Sequence, residues 1–254
     1  MCGRAYQTYT EDELYVRYIH ESSKRRPLGL RPNYNLAPTQ LSPIVLIEKD
    51  VLTIRPLRWG LVPFWAKDVK SAAKYSLINA KGEEIAEKRS YKAAFERRRC
   101  IVPVTGFYEW KREGEGPKRP FAIHSAQEPI LSLAGVWEHW EGRDGAASVD
   151  SFSIITTEAN ATMSRVHDRM PVILSPKNEA EWLDPSNHDL RSLQKLLKPA
   201  SEKLLEMHEI SPLVNAPRNN RPEVLTPVEE APSASPPKKA SSPGKRKGKP
   251  SRKG

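Results

Sequence analysis

The chain has 254 residues, room for one domain with a tail or for two small domains. Hydrophobic residues make up 38% and charged residues 28%, and no apolar run approaches the roughly 18 residues that a membrane-spanning helix needs. The net charge is +10, but ten Lys/Arg against three Asp/Glu lie from Pro217 onward, so most of the basic excess belongs to the C-terminal stretch rather than to a basic core surface.

The residues after Met1, CGRAYQTYTEDEL, lack the apolar core of a secretory signal. Two cysteines, Cys2 and Cys100, make neither a disulfide framework nor a zinc site, so a reducing intracellular compartment is expected. TEDELYVRYIHESS opens on a capping threonine and predicts a helix. PIVLIEKD, VLTIRPLRWGLVPFW, RCIVPVTGFYEWK, FAIHS, PILSLAGVWEHW and SFSIITTEA predict strands, rich in β-branched and aromatic residues and punctuated by Gly and Pro. Helical spacing appears at EIAEKRSYKAAFERR, NATMSRVH, KNEAEWL and DLRSLQKLLK. Strands outnumber helices without alternating regularly with them. That favours an α+β fold around a bent or barrel-like antiparallel sheet over a doubly wound parallel one. The last stretch is Pro/Ser/Lys-rich with almost nothing apolar to bury, so disorder is expected from Arg218 on. Its KRKGKPSRK segment reads as a nuclear localisation signal, a phosphate-binding tail or a solubilising tail.

Five places carry chemistry. Removal of Met1, favoured by the small side chain at position 2, would give Cys2 an α-amino group (pKa about 7.7–8.0) beside a thiol (about 8.5). With an aldehyde, such a residue forms an imine that its own thiol closes into a thiazolidine. With an amide it serves as a thiol nucleophile whose amine is the base. An incidental cysteine is the plain alternative. Glu109, between Tyr108 and Trp110, is either a carboxylate with a raised pKa or an outward-facing strand residue. His167 lies where a short helix gives way to an apolar strand, and its imidazole suits acid–base work near neutrality. His20, His124, His139, His188 and His208 have less pointed settings. Asn79 closes an apolar run, where it orients a hydroxyl or carbonyl or caps a turn. Trp59, Phe64 and Trp65 form an aromatic cluster beside Arg58 and Lys67. Trp59 reads as core, and a partly exposed Trp65 would stack bases of single-stranded nucleic acid. No zinc spacing, phosphate-binding glycine loop or nucleophile elbow is present, so neither metal nor cofactor is expected.

MCGR, NYNLAPTQ, RWGLVPFWAKD, NAKGEE, RRCIVPVTGFYEW, FAIHS, AGVWE, SIITTEAN and HDRMPVIL occur in this order. Together they closely resemble the SRAP family (SOS-response-associated peptidase domain), over about Cys2 to Arg218. The resemblance implies an SRAP-like fold of bent or barrel-like sheets flanked by short helices, with a domain at residues 2–217 and a disordered basic tail at 218–254. It implies a sensor and shield of abasic sites in single-stranded DNA within the DNA damage response, linked covalently through a thiazolidine at Cys2. Lyase-type reversal and thiol (auto)peptidase activity come with the same resemblance. It further implies that Asn79 holds the N-terminal residue and the opened sugar, that Glu109 assists proton transfers, and that His167 promotes ring opening and reversal. Arg4 and Arg169 would contact phosphates, and Trp65 and Trp110 would shape or stack the DNA. Lys81 stands where the family usually has arginine. It keeps the charge but loses the bidentate fork, so its phosphate contact should be weaker. The expected partners are single-stranded DNA containing abasic sites and, through the tail, replication-fork proteins, although the tail shows no clear clamp-binding motif. A nuclear monomer with no membrane association is expected.

Two other classes compete. Class II glutamine amidotransferases also begin MCG with a processed cysteine, but an N-terminal-nucleophile hydrolase leaves GFYEW and HDRMP without a use. A noncatalytic reader of modified bases would make the identity of Cys2 irrelevant to binding.

Overall fold

A computed structural model describes residues 2–19 and 25–228. The chain builds two sheets, with strands numbered in chain order. The first contains β1 (Ala5–Gln7), β2 (Asn33–Leu36), β7 (Gly106–Lys111), β8 (Arg119–Ser125) and β13 (Leu205–Glu209), in the order β13-β8-β7-β1-β2. The second is built on β3 (Leu41–Glu48), β4 (Val51–Trp59), β6 (Arg99–Val104), β9 (Leu131–Trp140) and β10 (Val149–Glu158). These five close on themselves: β4 pairs with β3, β3 with β6, β6 with β9, β9 with β10, and β10 returns to β4. Closure removes the exposed edges that open sheets must otherwise protect. The expected barrel-like α+β architecture is therefore present. The pairing is not wholly antiparallel, because β10 runs parallel to β4 and to the short β5 (Asn79–Lys81).

β6 and the middles of β3, β9 and β10 are buried on both faces, which is why they read as continuous apolar runs, whereas β4 is partly exposed. One face, with Ile44, Leu57, Trp59, Val102, Leu133 and Phe152, packs against Ala5, Leu36, Phe107 and Ile123 of the first sheet. The other, with Val45, Ile101, Val136 and Ile155, packs against the helices. These include α1 (Glu11–Tyr18), α3 (Lys92–Arg97), α4 (Pro176–Leu183) and α5 (Leu190–Leu196), whereas α2 (Val69–Ala73) follows the Trp65 loop. The capping threonine behaves as expected. Thr10 Oγ1 accepts from Glu13 N–H, and the Glu13 carboxylate accepts Thr10 N–H at 2.7 Å, a reciprocal box that satisfies two end donors of α1.

Four expected elements change. The VLTIRPLRWGLVPFW strand stops at Trp59, where Gly60 turns the chain at φ 106°. RCIVPVTGFYEWK divides at Thr105 into β6 and β7, one in each sheet. The helix expected over EIAEKRSYKAAFERR keeps only Lys92–Arg97, because the preceding chain turns to bury Ile85 and Tyr91. NATMSRVH shrinks to a single 3-10 turn, Met163–Arg165, entered through Asn160, whose Oδ1 takes Met163 N–H at 2.9 Å as a capping bond. The tail boundary also moves. Residues 218–228 carry a 3-10 turn at Pro222–Leu225, Val224 is fully buried with Tyr6, Tyr108 and Ile210, and Val228 N–H bonds Glu209 O at 3.0 Å. The short VL pair in RPEVLTPV gave no sign of this. KRKGKPSRK and His20 lie outside the described residues. Among those described, no helix is long and apolar enough to cross a membrane.

Gly106 marks the crossing between the sheets. A Cβ there would collide with the Ile123 carbonyl and the Tyr6 hydroxyl. Gly106→Ala should therefore lower the unfolding free energy by roughly 1–3 kcal/mol, read from the urea midpoint at unchanged m-value.

Candidate functional site

The N-terminal segment is fixed by backbone pairing. Ala5 lies opposite Phe107 and Tyr6 opposite Gly106, and Tyr108 N–H donates to Arg4 O at 3.0 Å. The same register sets Gly3 across from Glu109. Strand alternation then sends Phe107 and Glu109 to the side of Ala5, and Tyr108 and Trp110 to the opposite side. Glu109 is 3% exposed, so the outward-facing alternative does not hold. Burial raises its pKa, opposed by the N-terminal ammonium and by His167.

Cys2 is fully buried in the core between the sheets, and its thiol is pushed far up, by burial first and then by the Glu109 charge. Its carbonyl accepts Asn79 Nδ2–H at 2.8 Å. Asn79 is held in turn. Its strand β5 lies parallel to β10, with Asn79 opposite Ile154, and its carbonyl accepts the Tyr91 hydroxyl at 2.8 Å. Burial pushes the Tyr91 pKa up to about 12, which keeps that hydroxyl a donor. Asn79 Oδ1 is buried and has no hydrogen-bond partner among the described residues. The fourth group arrives with β11 (Arg169–Pro171), which pairs with the end of β10, whereas β12 (Ile173–Leu174) pairs with β9. His167 just precedes β11, and its Nδ1 accepts Arg169 N–H at 3.0 Å. The same Nδ1 stands 2.7 Å from Asp168 Oδ1. Glu109 and His167 line an open cleft of about 470 Å³ with Gly3, Arg4, Trp110, Lys118 and Asn215. Among the described residues, no three His/Cys/Asp/Glu side chains converge to hold a metal.

The remaining sequence candidates occupy different settings. Arg4 donates to Asn35 Oδ1 (2.6 Å) and Val214 O (2.8 Å) and lies 5.8 Å from the Trp110 ring centre. Arg169 forks onto Glu83 at 2.9 and 2.8 Å and also reaches Thr156 O. Trp110 lines the cleft and donates to Asn215 Oδ1 at 2.7 Å. Trp65 and Lys81 lie outside it. Trp65 is half-buried, edge-on to Tyr75 and 5.1 Å from the Arg89 guanidinium, with Phe64 and Tyr75 more than half exposed beside it. Lys81 is exposed, with Nζ 3.5 Å from Glu84. Trp59 is fully buried, as expected.

Sequence reading passed over three supports. Asn35, fully buried, donates to the carbonyls of Val214, Ala216 and Asn219 and so straps SPLVNAPRNN beside the cleft. The signal was there, since a second asparagine in NYNL is costly to bury without such partners. Tyr91 and Lys118 sat in segments read as a helix and a loop, with nothing to single them out.

Residues 1–217 match the family model described as SOS response associated peptidase (SRAP). The chain is 38% identical to "Abasic site processing protein YoqW" of Bacillus subtilis over 225 residues, covering 89% of this chain and 99% of that protein. It is 34% identical to "Abasic site processing protein HMCES" of Gallus gallus over 228 residues, covering 78% and 67%. A crystal structure of a protein from Bacteroides thetaiotaomicron shares the fold at TM-score 0.79 and 28% identity, covering 89% of this chain and all of that one. The chain belongs to the SRAP family.

The raised Glu109 pKa has a defined sign. The folded protein holds this proton more tightly than the unfolded chain, so the stability it contributes is complete below the ordinary value of 4.5. It is lost as pH rises through the higher folded value. Glu109→Gln should match wild type in thermal midpoint at pH 4 and exceed it progressively toward pH 7. A constant gap across that range would contradict the assignment.

Proposed function

We propose that this SRAP-family protein captures abasic sites in single-stranded DNA, forming a thiazolidine between processed Cys2 and the ring-opened sugar aldehyde. The observation that carries this reading is the junction of a buried Cys2 with Asn79 and with a cleft lined by Glu109 and His167. The similarity to two abasic site processing proteins supports the substrate class.

Burial decides the order of bond formation. A thiol held neutral is a poor first nucleophile, whereas the amine freed by Met1 removal attacks an aldehyde readily. Attack of the amine on the aldehyde carbon gives a carbinolamine. In its acid form, which burial favours, Glu109 donates to the departing hydroxyl, and water leaves to give the iminium. Cys2 Sγ then adds to the same carbon and gives its proton to the Glu109 carboxylate. The balance is one aldehyde and one aminothiol in, one thiazolidine and one water out. Asn79 holds the Cys2 carbonyl so that amine and thiol face one carbon, and His167 exchanges protons with the sugar hydroxyl exposed on ring opening. The same burial weighs against a hydrolase, which needs the thiolate itself.

Processed protein mixed with single-stranded DNA carrying one abasic site should give a heat-stable shifted band on a denaturing gel. Cys2→Ala should abolish it. Cys2→Ser should leave only an imine trapped by borohydride. Glu109→Gln should slow formation by about 10²-fold or more, the usual scale of general acid–base assistance. Asn79→Ala should cost about tenfold, one hydrogen bond's worth. No band from verified processed wild type would overturn the reading.

A further inference from the structure

We infer that Arg17 stands at the centre of a second groove, which takes an extended acidic segment of a partner protein. Carboxylates of that segment lie on Arg17, Lys177, Lys198 and Lys203, and an aliphatic side chain lies against Val16 and Ile130. Two cavities form the groove, one of about 400 Å³ and one of about 390 Å³, and Arg17 and Ile130 line both. Each is within the size range of ligand pockets, which starts at roughly 300 Å³. None of the residues lining the Glu109–His167 cleft lines either of them. The first cavity is basic: the four cations line it against a single carboxylate, Glu128. The second is mainly apolar. Val16, Tyr9, Pro129 and Ile130 line it, and Val16 is 61% exposed. Its one carboxylate, Glu13, is engaged in the cap of α1.

The fold presents Arg17 already oriented. Its fork lies on Glu179, Nη1 donating to Oε2 at 3.0 Å and Nη2 to Oε1, and its guanidinium sits 4.7 Å from the Tyr18 ring centre. Glu179 is buried and also accepts Ser132 Oγ–H at 2.7 Å, while Ser132, buried too, accepts the Tyr18 hydroxyl at 2.7 Å. A guanidinium held this way loses little freedom when an anion meets its remaining N–H groups. The three lysines are exposed, and their ammonium groups make no hydrogen bond or ion pair among the described residues. Lys177 lies in the first turn of α4, where the helix dipole disfavours a cation, and the buried Ser175 hydroxyl just before it has no partner among the described residues. A carboxylate placed there relieves both. The lining selects a peptide over a nucleic acid. No aromatic side chain lines the basic cavity, so no base stacks in it, whereas Leu131, Ile173 and Leu204 give it aliphatic surface. Carboxylates interleaved with aliphatic side chains match both cavities at once.

The test uses the full chain and a fluorescein-labelled peptide of alternating aspartate and leucine, titrated by anisotropy at about 0.1 M KCl, where exposed charges are only partly screened. A peptide of alternating aspartate and glycine is the control. The leucine peptide should bind saturably, and the glycine peptide about fivefold more weakly or worse, through lost apolar contact. Combining Lys177→Ala, Lys198→Ala and Lys203→Ala should weaken the leucine peptide about tenfold, the joint scale of three exposed ion pairs. Val16→Ser should weaken it about threefold. All four side chains are exposed, so thermal midpoints should stay at the wild-type value, which separates lost binding from lost folding. Affinity for an undamaged single-stranded oligonucleotide should change less in the triple variant than affinity for the peptide. Three results would overturn the inference: no saturable binding by wild type, equal binding of the two peptides, or a triple variant that loses the oligonucleotide and keeps the peptide. None of these readouts passes through Cys2, so a failure of the crosslinking reading is registered separately.

Discussion

Everything at this site depends on β1 lying antiparallel on β7. Cys2 is three residues from Ala5, and a chain advances at most about 3.6 Å per residue, so anchoring Ala5 opposite Phe107 confines Cys2 to within about 11 Å of that point. Three further constraints shrink that volume: the Tyr108 N–H bond to Arg4 O, the Asn79 bond to the Cys2 carbonyl, and burial of the thiol between the sheets. N-termini are ordinarily frayed. Here the terminus is built into a sheet, and the strand that holds it is the one that carries Glu109. Anchor and carboxylate therefore cannot drift apart without breaking the ladder.

The barrel supplies the opposite wall through β10. Its first half is paired on both sides, with β4 and β9, and is rigid for that reason. Beyond Ile154 both partners fall away, and the vacated edges are taken by β5 on one side and β11 on the other. Asn79 stands at the start of β5 and His167 just before β11, so two groups some ninety residues apart in sequence meet at one strand end. The Arg169–Glu83 fork closes the gap between their turns. Its value is geometric: a solvent-accessible ion pair adds little stability, but a bidentate one fixes orientation.

Much of this was legible in the residues. The barrel strands announced themselves as β-branched runs, α1 by its capping box, and the core role of Trp59 by its setting. What escaped depends on contacts distant in sequence. β1, β2, β5 and β13 are three to five residues long and carry no periodicity worth counting, and they are strands only because β7, β8 and β10 are there for β1, β13 and β5, and β1 in turn for β2. The helix expected across residues 84–98 had the right spacing, but Tyr91 faces inward to hold Asn79, and that overrode propensity. The candidate residues Cys2, Asn79, Glu109 and His167 came from motif order, and their placement is coherent. A guanidinium, by contrast, does not reveal from sequence whether it faces a phosphate or a neighbouring carboxylate. Arg169 lies on the Glu83 carboxylate, whereas Arg4 lies on the Asn35 amide oxygen and the Val214 carbonyl.

The site also concentrates what a stable core avoids: a carboxyl and a thiol both raised by burial, and an amide oxygen, Asn79 Oδ1, with no donor among the described residues. An unsatisfied acceptor in a native interior calls for an explanation. Its partner Nδ2 is already on the Cys2 carbonyl, so the oxygen is held beside the residue whose nitrogen becomes an ammonium donor once Met1 is removed. In the proposed reaction that acceptor has two successive claimants, the freed amine and then the hydroxyl of the opened sugar. Pairing it permanently within the protein would stabilise the fold and leave the incoming groups without an oriented acceptor. The same reasoning covers Glu109: a solvated carboxylate would relieve the fold, whereas burial makes the acid form, the one that can release water, easier to reach. The destabilisation is tolerable because it is confined to the junction of two sheets whose central strands, β7 among them, are paired on both sides.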